Sequence, residues 1–172
     1  MFKGSNVALI TPFKNNGLDE EAYIKLIHFH MDNGTSGLVP AGTTGESPTL
    51  SHDEHQRVID LCIKESKGKI PVIAGTGSNS TEEAISLTSH AEKAGANGAL
   101  IVTPYYNKPT QEGLYQHYKA INDKCGIPII IYNIPGRSVI DMTVDTNLPV
   151  LAYYNKALQL VLHLPQLSLH GK

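Results

Sequence analysis

Apolar residues in this chain gather into short unbroken runs separated by longer amphipathic stretches, and the runs recur regularly. They begin near Gly37, Ile70, Gly98 and Ile127, at spacings of 33, 28 and 29 residues. Gly37-Leu38-Val39-Pro40-Ala41, Pro71-Val72-Ile73-Ala74, Ala99-Leu100-Ile101-Val102 and Pro128-Ile129-Ile130-Ile131 lack polar alternation, and Val7-Ala8-Leu9-Ile10 is an earlier run of the same kind. Strands covered on both faces read this way, which predicts a parallel sheet. Between them, apolar positions repeat at helical spacing: Tyr23, Leu26, Ile27 and His30; Val58, Leu61 and Cys62; Ala84, Leu87 and Ala91; Leu114, Tyr118 and Ile121. Ser51 with Glu54, and Ser80 with Glu83, have capping-box spacing, and Gly34, Gly95 and Gly126 stand where helices should end. Five strands alternating with helices predict an α/β protein. Two architectures compete, and periodicity alone favours the doubly wound one. A doubly wound sheet fits the length, whereas a (β/α)₈ barrel needs ~250 residues, so this chain would supply about five of its units.

Both architectures collect functional groups at the carboxyl ends of the strands. Read in order, those ends are Thr11-Pro12, Gly42-Thr43-Thr44-Gly45-Glu46, Gly75-Thr76-Gly77-Ser78-Asn79, Thr103-Pro104-Tyr105-Tyr106-Asn107 and Tyr132-Asn133-Ile134-Pro135-Gly136-Arg137. They offer hydroxyls, backbone amides and one arginine. Thr43 and Thr44 with their neighbouring amides suit a carboxylate, although an ordinary βα turn also uses threonines. Tyr106 and Tyr132 suit proton relay, although tyrosines commonly cap the rim of a core. Arg137 suits a second carboxylate, although most arginines are simply solvated.

Composition narrows the classes. Hydrophobic residues make up 41% and charged residues 17% of 172 residues, the pattern of one soluble domain. A net charge of −2 provides no basic footprint for nucleic acid or an anionic membrane, and no apolar run is long enough to span one. Two isolated cysteines, Cys62 and Cys125, point to a reducing, cytoplasmic setting. The histidines form no ligand cluster, His52 and His55 being HxxH at a helix start, so no metal is expected. Gly75-Thr76-Gly77-Ser78-Asn79-Ser80 lacks the third glycine of a dinucleotide fingerprint, and no cofactor is expected.

Taken together, Gly42-Thr43-Thr44-Gly45-Glu46-Ser47, Ile73-Ala74-Gly75-Thr76-Gly77, Thr103-Pro104-Tyr105-Tyr106-Asn107-Lys108-Pro109 and Tyr132-Asn133-Ile134-Pro135-Gly136-Arg137 resemble the dihydrodipicolinate synthase family, in family order and from Met1 to about Thr146. The resemblance implies a TIM (β/α)₈ barrel and a lyase that condenses pyruvate with aspartate semialdehyde through a lysine Schiff base, in lysine and diaminopimelate biosynthesis. It implies that Thr44 binds the pyruvate carboxylate and that Thr43, Tyr132 and Tyr106 relay protons, Tyr106 across a dimer interface of a homotetramer. Arg137 is then the receiver of the semialdehyde carboxylate. The paired threonines separate the chain from the related sialic acid lyases, which resemble Gly-Ser-Thr-Gly at this turn.

The family's nucleophilic lysine lies in a Gly-Ile-Lys context that should fall near residue 160. The chain reads Lys156-Ala157-Leu158-Gln159-Leu160-Val161-Leu162 there. Residues 1–146 are therefore expected to form the N-terminal portion of the barrel and 147–172 an unrelated Leu-rich tail, the pattern a frameshift or recombination junction leaves. Lys156 reads as a solvated lysine on a helix. On this reading the fold is an incomplete barrel of about five βα units with open edges, marginally stable and prone to aggregate, and the chain is a truncated product without turnover.

Overall fold

Alternation along each strand sorts the side chains into two layers. In a computed structural model of the chain, which describes residues 2–146 and the backbone of Leu158–Gln159, β1 (Asn6–Ala8) pairs in parallel with β4 (Gly37–Val39). A single parallel bridge between Leu38 and Val72 links β4 to β5 (Ile73–Gly75). β6 (Gly98–Val102), β7 (Ile129–Tyr132) and β8 (Leu158–Gln159) follow, all parallel. The order β1-β4-β5-β6-β7-β8 is that of an arc of a parallel barrel. The five expected strands are all present, and the barrel alternative is the one adopted.

Residues of one parity face the helices. Leu38, Val72 and Ala74 join Tyr23 and Ile27 of α1 (Glu20–Asp32) and Val58, Ile59 and Cys62 of α2 (His52–Ser66) in one buried cluster. Ala99, Ile101, Ile129 and Ile131 join Ala84 of α3 (Thr81–Ala94) and Leu114, Tyr118 and Ile121 of α4 (Gln111–Lys124) in a second. The opposite parity turns into the lumen, where Val39, Ile73 and Ile130 are buried with Phe2 and Leu100 against them. Pairs across the helix layer add register: Arg57 grips Glu20 through two nitrogens at 2.7 Å, and His90 meets Asp60 at 2.8 Å.

The helix ends show where local pattern yields to context. Ser51 and Glu54 form the complete reciprocal capping box on α2. Ser80 caps α3 through the Glu83 amide, but the Glu83 carboxylate does not return to Ser80; it accepts from Ser78 and meets His52 at 2.5 Å. Gly95 caps α3 at φ +100° and Gly34 follows α1 at φ +78°. Gly126 does not serve as a left-handed cap: α4 ends on extended Cys125, and the Gly126 amide donates to Glu92 at 2.9 Å. A Cβ there would stand 2.8 Å from that carboxylate, so the flexible Glu92 side chain would have to shift to admit one. The hairpin β2 (Phe13–Lys14) and β3 (Gly17–Leu18), turned by Asn15 and Asn16 at φ 53° and 62°, was not expected. Residues 147–157 and 160–172, with Lys156 and most of the tail, lie outside the described residues.

Candidate active site

The carboxyl ends of β4, β5, β6 and β7 open on one cavity of about 240 Å³. Thr43, Tyr132 and Arg137 all line it, together with Gly75, Gly77 and Tyr105. Each arrives by a different route. Thr43 opens a single 3₁₀ turn, Thr43–Gly45, directly after β4. Tyr132 is the last residue of β7, opposite Val102 of β6, and its parity is that of lumen-facing Ile130. Arg137 sits in α5 (Pro135–Ser138), a four-residue helix entered through a proline.

Hydrogen bonds hold the threonine turn from below. The Thr11 hydroxyl, buried at the end of the first strand, donates to the Gly45 carbonyl at 2.7 Å. The amides of Gly45 and Ser47 close on the Gly42 carbonyl and that of Glu46 on Thr43. Those three donors are therefore engaged within the turn, which leaves hydroxyls and the first amides as its means of holding an anion. Two glycines set the cavity wall. A Cβ on Gly75 would come within 2.2 Å of the Ala41 carbonyl, and one on Gly77 within 2.5 Å of the Val102 amide nitrogen. Neighbouring strand ends pass too closely for any other residue.

Two expected residues stand elsewhere. Thr44 is exposed and is not among the cavity's lining residues. Tyr106 is 88% exposed with φ +71°, so its ring leaves the lumen, and Tyr105 is the tyrosine on the cavity wall. Burial pushes the Tyr105 phenol up, and the Glu83 carboxylate adds to that direction.

A smaller cavity of about 60 Å³ adjoins the first and shares Ser47, Pro48, Gly77 and Tyr105 with it. His52, His55 and Glu83 complete its polar lining. Glu83 is held below the usual carboxylate range by the Ser78 and His52 bonds. His55 is 3% exposed with neither ring nitrogen hydrogen-bonded among the described residues, and burial lowers it to about 4. The sequence presents His52 and His55 as a solvated helix start; only the packing of α2 on α3 turns His55 inward. Among the described residues no group of three or more His, Cys, Asp or Glu is placed to hold a metal, and no helix is long and apolar enough to cross a membrane.

A strand-end cavity with this order of motifs has relatives. The family model described as "Dihydrodipicolinate synthetase family" matches residues 1–157. The chain belongs to that family. It is 89% identical over 146 residues to the 4-hydroxy-tetrahydrodipicolinate synthase of Pelagibacter ubique (strain HTCC1062), a match covering 85% of this chain and 50% of that protein. A dihydrodipicolinate synthase from Aquifex aeolicus superposes with a TM-score of 0.89 at 54% identity, over 90% of this chain and 53% of that one. One from Acinetobacter baumannii, solved with pyruvate, gives 0.89 at 49% identity, over 92% and 55%. The chain thus spans about half the length of the synthases it matches, and its architecture is a partial TIM barrel of that family.

Proposed function

We propose that the larger cavity is the substrate-holding half of a 4-hydroxy-tetrahydrodipicolinate synthase site, built for cytoplasmic condensation of pyruvate with aspartate semialdehyde. The observation that carries this reading is the convergence of Thr43, Tyr132 and Arg137 on one cavity from three separate strand ends. Thr43 and Thr44, with the first amides of their turn, hold the pyruvate carboxylate, Thr44 after a local shift that brings it to the cavity. Tyr132, at the tip of β7, stands nearest the keto carbon and exchanges a proton with Thr43. Arg137 takes the semialdehyde carboxylate in a bidentate grip at the cavity rim. Tyr106, exposed to 88%, is available to complete a neighbouring subunit's cavity rather than its own, as a homotetramer requires.

The reaction further needs a neutral amine on the sixth strand to form an imine with the keto carbon. The backbone of Leu158–Gln159 occupies the sixth-strand position beside Ile130 and Ile131, and neither residue is a lysine. We therefore assign the family chemistry to the site and no turnover to this chain, with Lys156 not the nucleophile. A sialic acid lyase-like activity is disfavoured by Thr43-Thr44. Borohydride reduction in the presence of pyruvate tests both parts. The Pelagibacter ubique synthase should gain a reduced pyruvyl adduct on a lysine and this chain none, while saturation-transfer NMR should detect pyruvate on this chain and lose it in Thr43→Val. An adduct on any lysine of this chain would refute the inactive assignment; no pyruvate signal from the folded chain would refute the site.

A further inference from the structure

Arg137 rides on a loop that is pinned from within and at its base. Its amide donates to the Ile134 carbonyl at 2.9 Å, and the Ser138 hydroxyl stands 3.0 Å from the carbonyls of Ile134 and Ile140. The base closes through Asn133, a buried residue directly after Tyr132. Its Oδ1 accepts from the Met142 amide at 3.2 Å, and its Nδ2 donates to Asp141 Oδ1 at 2.6 Å. From the other side Gln111, the first residue of α4, donates to the Asp141 carbonyl at 2.8 Å, and its Oε1 accepts from the Thr146 hydroxyl at 2.7 Å. Asp141 is therefore held through its backbone and through its carboxylate.

That carboxylate is the one the loop itself offers to Arg137, which lies four residues earlier. Yet Arg137 enters no ion pair among the described residues, and no acidic side chain lines its cavity. A guanidinium left beside a free carboxylate on the same loop pairs with it, in a fork of two hydrogen bonds where the geometry allows. We propose that Asn133 is a positioning residue: by engaging Asp141 it keeps Arg137 unpaired and open to a substrate carboxylate. A neutral amide suits this task. Its nitrogen occupies Asp141 without presenting a charge to the guanidinium, while its oxygen accepts from the Met142 amide and fixes the loop's return. The proposal rests on Arg137 as the carboxylate receiver, but its first readout needs no ligand.

The chain's arginines are Arg57 and Arg137, and the Arg57 Nε donates to Glu20 at 2.7 Å. Arginine labelled with nitrogen-15 at Nε therefore gives the full chain one paired reference signal and one reporter in NMR. In the parent, the Arg137 Nε proton should exchange with water faster than that of Arg57. The probe 4-oxobutanoate, which is the semialdehyde without its amino group, should shift Arg137 alone. In Asn133→Ala, Arg137 exchange should slow towards that of Arg57 with no probe present, and 4-oxobutanoate should bind about fivefold more weakly, the competition an exposed ion pair supplies. Adding Asp141→Asn to that variant should restore both, which a loss of packing at Asn133 would not allow. Asn133→Ser, which keeps a hydroxyl near the Met142 amide, replaces the alanine variant if circular dichroism shows that one unfolded. The inference is overturned if Arg137 in the parent exchanges as slowly as Arg57, if it stays fast in the folded Asn133 variant, or if Asp141→Asn restores nothing. A parent in which Arg137 exchanges freely but ignores 4-oxobutanoate would refute the receiver assignment instead, and the exchange rates without probe would still decide the role of Asn133.

Discussion

Acid should unfold this protein through two histidines that the sequence marks as ordinary. His55 and His117 are 3% and 4% exposed, and burial holds both neutral, at about 4 against an ordinary 6.5. For His55 the Glu83 carboxylate opposes the burial, while His52 and His90 add to it; for His117 burial is the sole cause. Both rings regain the ordinary value on unfolding, so the unfolded chain binds more protons between those limits and stability falls as pH drops from 6.5 towards 4. By pH 5 the loss is about 2 kcal/mol per ring, and about 3 kcal/mol per ring at the end of the window. For the pair this is comparable to the whole stability of a marginal domain. Glu20, Glu54 and Glu83, all held low by hydrogen bonds, act with the same sign, but their contribution is present above about 4.5 and is lost below it. The interval from pH 7 to 5 therefore isolates the histidines.

Urea unfolding followed by far-ultraviolet circular dichroism at pH 7, 6 and 5 measures the effect, the chain having no tryptophan to report. The parent should lose about 4 kcal/mol across that interval. His117→Asn supplies a non-titrating amide near the Nδ1 position, which meets the Thr81 hydroxyl at 2.9 Å. It should lose only about 2 kcal/mol over the same interval. An unfolding free energy constant within about 1 kcal/mol from pH 7 to 5, or an equal loss in parent and variant, would refute the reasoning.

Gly75→Ala drives a methyl into the Ala41 carbonyl at 2.2 Å and should cost about 3 kcal/mol in urea unfolding while displacing the turn that carries Thr43. Thr11→Val removes the 2.7 Å bond to the Gly45 carbonyl, leaving a buried acceptor unpaired; a loss of about 2 kcal/mol is expected, with faster hydrogen exchange at Gly45 and Ser47. Ser51→Ala deletes the side-chain half of the α2 capping box, the Ser51 hydroxyl that accepts from the Glu54 amide, and should lower the unfolding free energy by about 1 kcal/mol. Val139 is a β-branched residue at φ +67° and is 63% exposed, so Val139→Asn should raise stability by about 1 kcal/mol.

Local physics made much of this protein legible from its residues. A strand buried on both faces must be apolar without interruption, so the runs at Leu38, Ile73, Ile101 and Ile130 announced themselves. A serine three residues before a glutamate caps a helix wherever nothing competes, as at Ser51. The strand-end motifs located Thr43, Tyr132 and Arg137, because a parallel sheet brings its carboxyl ends to one side whatever the loops contain. Tertiary structure decided the remainder, since each outcome depended on neighbours distant in sequence. Glu83 left its cap for Ser78 and for His52, 31 residues away. His55 became buried only because α2 packs on α3. A left-handed backbone at Tyr106 turned that ring outward and left Tyr105 on the wall of the chain's own cavity. The Asn15-Asn16 turn was readable in principle, but its two-residue strands are too short to show a period. The sequence by itself determined which of the longer segments become strands and helices; the order in which those strands pair into an arc is a property of contacts between segments that no single segment encodes.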